Sequence, residues 1–238
     1  MARFTLLAAI LVVAEVGSAG AAPTVYPTGT TVYDPSATWN GYTVLSPLGT
    51  QAVLVIDMNG SVVKRWDGYD NSAGGPARVL PGGMVIAATG ARAPHQESLE
   101  IVQRDFAGNV VWQFGHNVQV QMPDGKTIWS VRQHHDWQRA DFPAGYYSPG
   151  AEPAAVAGRM LMLTHISHTL PDVADVPLED DRLIEITPDG KIAWEWTAGN
   201  HIGEMGFSAA ARAAIKASPG PNAARTGFDW LHLNAATY

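Results

Sequence analysis

The chain of 238 residues has no cysteine, so no disulfide can staple it and its stability must come from an ordinary apolar core. It is poor in charge, at 16% Asp, Glu, Lys and Arg, and poorer still in positive charge, with 15 Lys and Arg against 22 Asp and Glu and a net charge of −7. No basic block occurs anywhere, which argues against nucleic acid or an anionic membrane surface as a partner. A small anionic substrate stays open, because a few local Arg, Lys or His groups suffice to bind one. Uninterrupted apolar runs are also short. The longest begins at Phe4 and is broken by Glu15, well under the roughly 18 residues of a membrane-spanning helix. Helical periodicity is nearly absent and is confined to one stretch, 204–216, with Ser208 as its cap and Ser218-Pro219-Gly220-Pro221 as its stop.

The N-terminus has the pattern of a secretory signal peptide: Arg3 supplies a positive start, an apolar core follows, and Ala19-Gly20-Ala21 is an A-x-A exit. Cleavage after Ala21 divides the chain into a signal peptide, 1–21, and one domain, 22–238, of 217 residues. That is long enough to bury a core. The expected location is periplasmic or secreted, with no membrane span after cleavage; oligomeric state is not legible.

Frequent punctuation replaces the long helices: 24 Gly and 16 Pro break up a chain that is 46% hydrophobic, as many short strands and turns require. The segment 52–66 returns as 99–114 and again as 182–196. In each copy a β-branched strand is followed by a turn ending in Gly60, Gly108 or Gly190, then by a second strand closing on Trp66, Phe114 or Trp196. These are hairpins whose glycine takes a positive φ at the corner. Further strands are expected in 77–89 and 158–164. Two hairpins per unit make a four-stranded blade, and Gly60 and Gly108 are 48 positions apart, near the roughly 40–50 residues of a propeller blade. Gly108 and Gly190 are 82 apart, the excess reading as an insertion around 141–153. The expected fold is all-β, a β-propeller of four-stranded blades with one short helical insertion. Only about two to three blades are present, where closure takes four to eight, so the chain is expected to be the N-terminal portion of a longer protein.

Four of the eight histidines cluster as His134-His135-Asp136 and His165-Ile166-Ser167-His168. Residues i and i+3 of a strand point to opposite faces, so His165 and His168 cannot share a metal. They read as loop histidines making hydrogen bonds, as do His95, His116 and His201, and neither a metal nor a cofactor is expected. His134-His135-Asp136 and Asp229-Trp230-Leu231-His232 differ from these. Each starts a strand pair at an equivalent place in successive repeats, where a propeller would deliver both to a common channel. The first repeat has Gly74-Gly75 there, so histidine is not a requirement of the repeat.

From Thr31 onward the sequence resembles the arylsulfotransferase family of propeller proteins. The resemblance rests on Asn40-Gly41-Tyr42-Thr43, the Asp57-Met58-Asn59-Gly60 turn with Trp66, and the run Ala77 to Gly83. More specific are His134-His135-Asp136-Trp137-Gln138-Arg139, Gly145-Tyr146-Tyr147-Ser148-Pro149-Gly150, Asp180-Asp181-Arg182, Trp194-Glu195-Trp196 and Asp229-Trp230-Leu231-His232-Leu233-Asn234. The resemblance implies transfer of a sulfuryl group from an aryl sulfate to a phenol through a sulfohistidine, without a nucleotide donor or other cofactor. Phenolic sulfates and phenols are the implied small-molecule partners. It also implies that His135, or His134, and His232 are channel histidines that bind sulfate and handle protons, and that Asp136 orients one imidazole. The family's sulfated histidine, in a Gln-His motif, and its sulfate-binding arginine fall beyond Tyr238, so the chain alone is expected to be inactive or nearly so. Arg132 and Arg139 match no catalytic position. The rival from another class is a non-catalytic exported propeller used as a binding scaffold. A redox propeller is a third reading, though the eight Trp are better explained as hairpin-closing residues.

Overall fold

The computed structural model describes residues 30, 32–92, 95–122, 124–140 and 158–238. The signal peptide expected at 1–21, Thr31, the 145–150 motif and the 141–153 insertion lie outside the described residues. The fold is all-β and antiparallel almost throughout. Strands β1 (Thr43–Leu45), β2 (Ala52–Ile56) and β3 (Val62–Asp67) make a three-stranded sheet. Next come β4 (Arg78–Leu80), β5 (Met84–Arg92), β6 (Glu97–Arg104) and β7 (Val110–Phe114), a four-stranded meander. After a separate hairpin, β8 (Val118–Gln121) and β9 (Thr127–Ser130), a second four-stranded meander follows. It consists of β10 (Gln133–Arg139), β11 (Met160–His168), β12 (Leu178–Ile186) and β13 (Ile192–Thr197). One bridge, Gln133 to Ser98, joins the ladders of the two meanders into a nine-stranded sheet. No sheet closes on itself among the described residues.

The three repeats are the hairpins β2–β3, β6–β7 and β12–β13. Their corners need the left-handed backbone that glycine supplies without a Cβ clash: φ is 81° at Gly60, 103° at Gly108 and 78° at Gly190. The closing tryptophans also have a structural task. The Trp66 indole donates to the carbonyl of Asp105 at 3.0 Å, and Trp112 donates to that of Pro188 at 3.0 Å. Each therefore reaches from the outer strand of one repeat to the hairpin corner of the next. Strand alternation does the rest. On β5, Val85 and Ala87 pack with Val53 and Trp66 of the preceding sheet and with Tyr69 just after it, while Met84, Ile86 and Ala88 pack with Trp137, Met160, Met162 and Ile184 of the following meander. A strand buried on both faces reads as continuous apolar sequence, as β5 does.

The expected helix forms as α1 (Ala209–Ala217), with the Ser208 hydroxyl accepting from the Ala211 amide at 3.1 Å. Its Ile215 packs with Phe207 against Val173, Ala174, Leu178 and Ile202. Among the described residues no helix is long and apolar enough to cross a membrane. The part of the 82-residue step that is described includes the β8–β9 hairpin. A two-residue strand, β14 (Phe228–Asp229), runs parallel to the start of β12; after the expected start of a strand pair at 229–232, residues 230–238 have no regular structure.

Gly227 sets the entry to β14. Its φ is 86°, and a Cβ there would meet Glu179 Cγ at 2.6 Å and the Glu179 amide nitrogen at 3.0 Å. Gly227→Ala should therefore cost about 1–3 kcal/mol, read as a lower melting temperature. Gly203→Ala, with no neighbour within 4 Å and an ordinary φ, should leave it nearly unchanged.

Candidate functional site

Three consecutive residues of β10 break the ladder. Gln133 pairs with Thr164 and Trp137 with Met162, so 134–136 stand opposite Leu163 alone. This bulge turns His135 into left-handed backbone at φ 53° and re-aims the side chains around it. His134 drops into the interior at 1% exposure. His135 is half-buried at the surface of the same cluster. The second histidine of the expected pair, His232, follows β14 and has a matching φ of 57°. Its segment is tied down by the acidic pair of β12: Asp180 Oδ1 accepts from the Trp230 indole at 2.8 Å, and Asp181 Oδ2 from the Leu233 amide at 3.0 Å.

The structure brings His134, His135 and His232 together. His135 Nε2 and His232 Nε2 are 3.0 Å apart, and the His134 ring centroid is 5.4 Å from that of His135 and 6.4 Å from that of His232. At 3.0 Å one of the two Nε2 atoms donates and the other accepts, so the pair holds one proton between them. The His232 Nδ1 contacts Asp229 Oδ2, which fixes the orientation of that ring. Burial pushes the His135 pKa below the ordinary histidine value, and the neighbouring His232 adds to this. His134 is lowered too, first by burial, with Asp181 opposing.

Two expectations are corrected. Asp136 does not orient an imidazole: its Oδ1 accepts from Arg78 Nη2 at 2.8 Å and from the Trp137 amide at 2.9 Å. The carboxylate in contact with an imidazole of the pair is Asp229, on His232 Nδ1. His165 is not a loop histidine. It lies on β11, 4% exposed, with its ring stacked on His134 at 3.7 Å between centroids and 14° between planes. His168 is on β11 as well, turned away from His165 as the strand period requires, with Nε2 2.8 Å from Asp180 Oδ2.

Below the histidines lies a buried ionic cage that the sequence reading missed. Glu97, at 0% exposure, accepts from Arg92 Nη1 at 2.8 Å and from Arg132 Nη2 at 2.7 Å, and contacts His165 Nδ1 at 3.0 Å. Arg132 also pairs with Glu179 and donates to the Ser167 hydroxyl at 2.9 Å. Burial alone would raise the Glu97 pKa, but the His165 hydrogen bond and the Arg132 charge outweigh it and hold the carboxyl far below the carboxylate range. Arg132 is thus consumed by structure. The signal was present as a glutamate inside an apolar strand, where a charge persists only if it is paired.

A cavity of about 470 Å³ opens over the cluster, lined by His95, His134, His165, Glu179, Asp229 and His232 among others. Fold and site together define an antiparallel all-β protein with an imidazole-rich pocket built from two successive sheets and a returning segment. Residues 151–238 match the family model described as Arylsulfotransferase (ASST), so the resemblance is shown over the segment that carries His165, Asp180, Asp181, Asp229 and His232. At the level of that family the chemistry is sulfuryl transfer. No match is found among curated proteins.

Proposed function

We propose that this chain contributes the proton-handling and sulfate-binding half of a site that moves a sulfuryl group from an aryl sulfate to a phenol. The observation that carries the reading is the 3.0 Å contact between His135 Nε2 and His232 Nε2, two imidazoles that meet across 97 residues of sequence at the cavity. Sulfuryl transfer resembles phosphoryl transfer in spreading charge over equatorial oxygens in a loose transition state, so catalysis is positioning plus cationic hydrogen bonds. When the pair carries one proton beyond its neutral state, so that one ring is an imidazolium, that proton can be given to the leaving phenolate oxygen, whose conjugate acid has a pKa near 10. The emptied pair then takes the proton of the incoming phenol. The nucleophile that carries the sulfuryl group between the two half-reactions is a further imidazole, supplied from outside the described residues. Asp229 orients His232. We further read the three-stranded sheet and the two meanders as successive propeller blades and the protein as exported; the indole bridges from one repeat to the next corner support the first, the 1–21 pattern the second.

The test is transfer from 4-nitrophenyl sulfate to phenol, followed as nitrophenolate release, with the protein expressed from its full reading frame. Release that depends on phenol supports the proposal. No release from a folded protein rejects it in favour of a binding scaffold.

A further inference from the structure

The pair His135 and His232 leaves three buried donors of the same cluster unused. His134 Nε2, His165 Nε2 and Asp181 Oδ1 lie within 4.8 Å of one another in residues that are 1%, 4% and 1% exposed. None of these three atoms has an aligned hydrogen-bond partner among the described residues. The closest approaches are His134 Nε2 to Asp181 Oδ1 at 3.1 Å and His165 Nε2 to Asp181 Oδ1 at 3.8 Å. At those positions the donors are aimed beside one another, not at one another. Buried polar atoms normally find partners, and a buried carboxylate needs a compensating charge. The neighbouring cage shows what compensation looks like here: Glu97 and Glu179 have Arg132 between them. No guanidinium or ammonium pairs with Asp181 among the described residues. We propose that His134 Nε2, His165 Nε2 and Asp181 Oδ1 are three ligands of a zinc-class divalent metal ion whose fourth position faces the cavity.

The spacing suits such an ion. Donors about 2.0–2.2 Å from a tetrahedral zinc lie roughly 3.3–3.6 Å apart, between the 3.1 and 3.8 Å found. The outer partners are in place as well. A metal-bound histidine commonly gives its other ring N–H to a carboxylate, and His165 Nδ1 is 3.0 Å from Glu97 Oε1, which leaves Nε2 with the lone pair. Leu233 donates to Asp181 Oδ2 at 3.0 Å, which leaves Oδ1 for the ion. Two imidazoles and one carboxylate select zinc or a neighbouring transition metal over calcium or magnesium, which take oxygen ligands. Three protein ligands with one open position is the pattern of a reactive site, not of a closed structural one. The sequence rule against metal applied to His165 with His168; the partner of His165 is instead on the adjacent strand, brought there by the bulge.

This inference does not rest on the sulfuryl-transfer reading, and its test needs no activity. Tag-free chain, stripped with chelator, is titrated with zinc chloride by calorimetry and with cobalt(II) by visible absorption. The expected result is one equivalent of zinc and the intense visible bands of four-coordinate cobalt. His165→Gln and Asp181→Asn should each weaken zinc at least about 100-fold with unchanged far-ultraviolet circular dichroism, while His116→Ala should not change it. The cobalt spectrum of the unsubstituted chain decides even if a variant misfolds: no binding, or only the weak bands of a six-coordinate ion, overturns the proposal. Binding that survives His165→Gln but is lost in His232→Asn also overturns it, by moving the metal to the surface pair.

Discussion

Glu97→Gln is expected to lower the stability of the folded chain by about 3–5 kcal/mol, the cost of breaking a buried ion pair by removing one partner. At a few degrees per kcal/mol for a protein of this size, that is a fall of roughly 10 °C or more in melting temperature, measurable by calorimetry or circular dichroism. The reason is specific to the cage. Glu97 is fully buried and receives Arg92, Arg132 and His165. A neutral amide would leave Arg132 with Glu179 alone and turn an N–H toward donors that already point inward. The sign of the pH dependence follows. The folded-state pKa of Glu97 is depressed from its ordinary 4.5, so its contribution is complete above that value and is lost as pH falls toward the folded-state value. The gap between the natural chain and Glu97→Gln should therefore be widest near neutrality and narrow steadily below about pH 4.5. A gap that widens on acidification would show that Glu97 is not ionised in the fold.

His232→Asn is expected to reduce aryl sulfate to phenol transfer about 10²–10⁴-fold, the usual worth of positioned proton transfer. Asparagine can hydrogen-bond His135, but it can neither hold nor return a proton at neutral pH. Asp229→Asn should produce a smaller loss in kcat, because the carboxylate acts only through the His232 ring, with KM little changed. Asp136→Asn separates this account from the one suggested by chain order. Asp136 is bonded to Arg78 and to the Trp137 amide, so its loss should show as a lower melting temperature with transfer by the folded fraction preserved. The opposite ranking, with Asp136 critical and Asp229 neutral, would mean that the histidine pair is oriented from the other side.

Much of the architecture was legible because it depends on local rules. The corners at Gly60, Gly108 and Gly190, the alternating strands that follow them and the Ser208 cap of α1 each carry their instruction within a few residues. The β8–β9 hairpin was not separated from the insertion, since its strands are only four residues each and face a single partner. The meeting of His134, His135 and His232 in one place was legible from repeat position, but the β10 bulge cannot be read from a two-residue period, and with it come the pairing of Asp136 with Arg78 and the stacking of His134 on His165. Long-range pairings were beyond reach for the same reason: Glu97 meets Arg132 35 residues away and His165 68 residues away, and nothing local announces either.

In the proposed function His135 and His232, 97 residues apart, act as one anion-handling pair. That pairing is tested most directly by imidazole nitrogen NMR of the histidine-labelled protein, titrated with inorganic sulfate. The His135 and His232 resonances should move together and saturate at the same sulfate concentration, His116 and His201 should stay still, and His232→Asn should remove the His135 response. Independent movement of the two, or movement of the surface histidines alone, would contradict it.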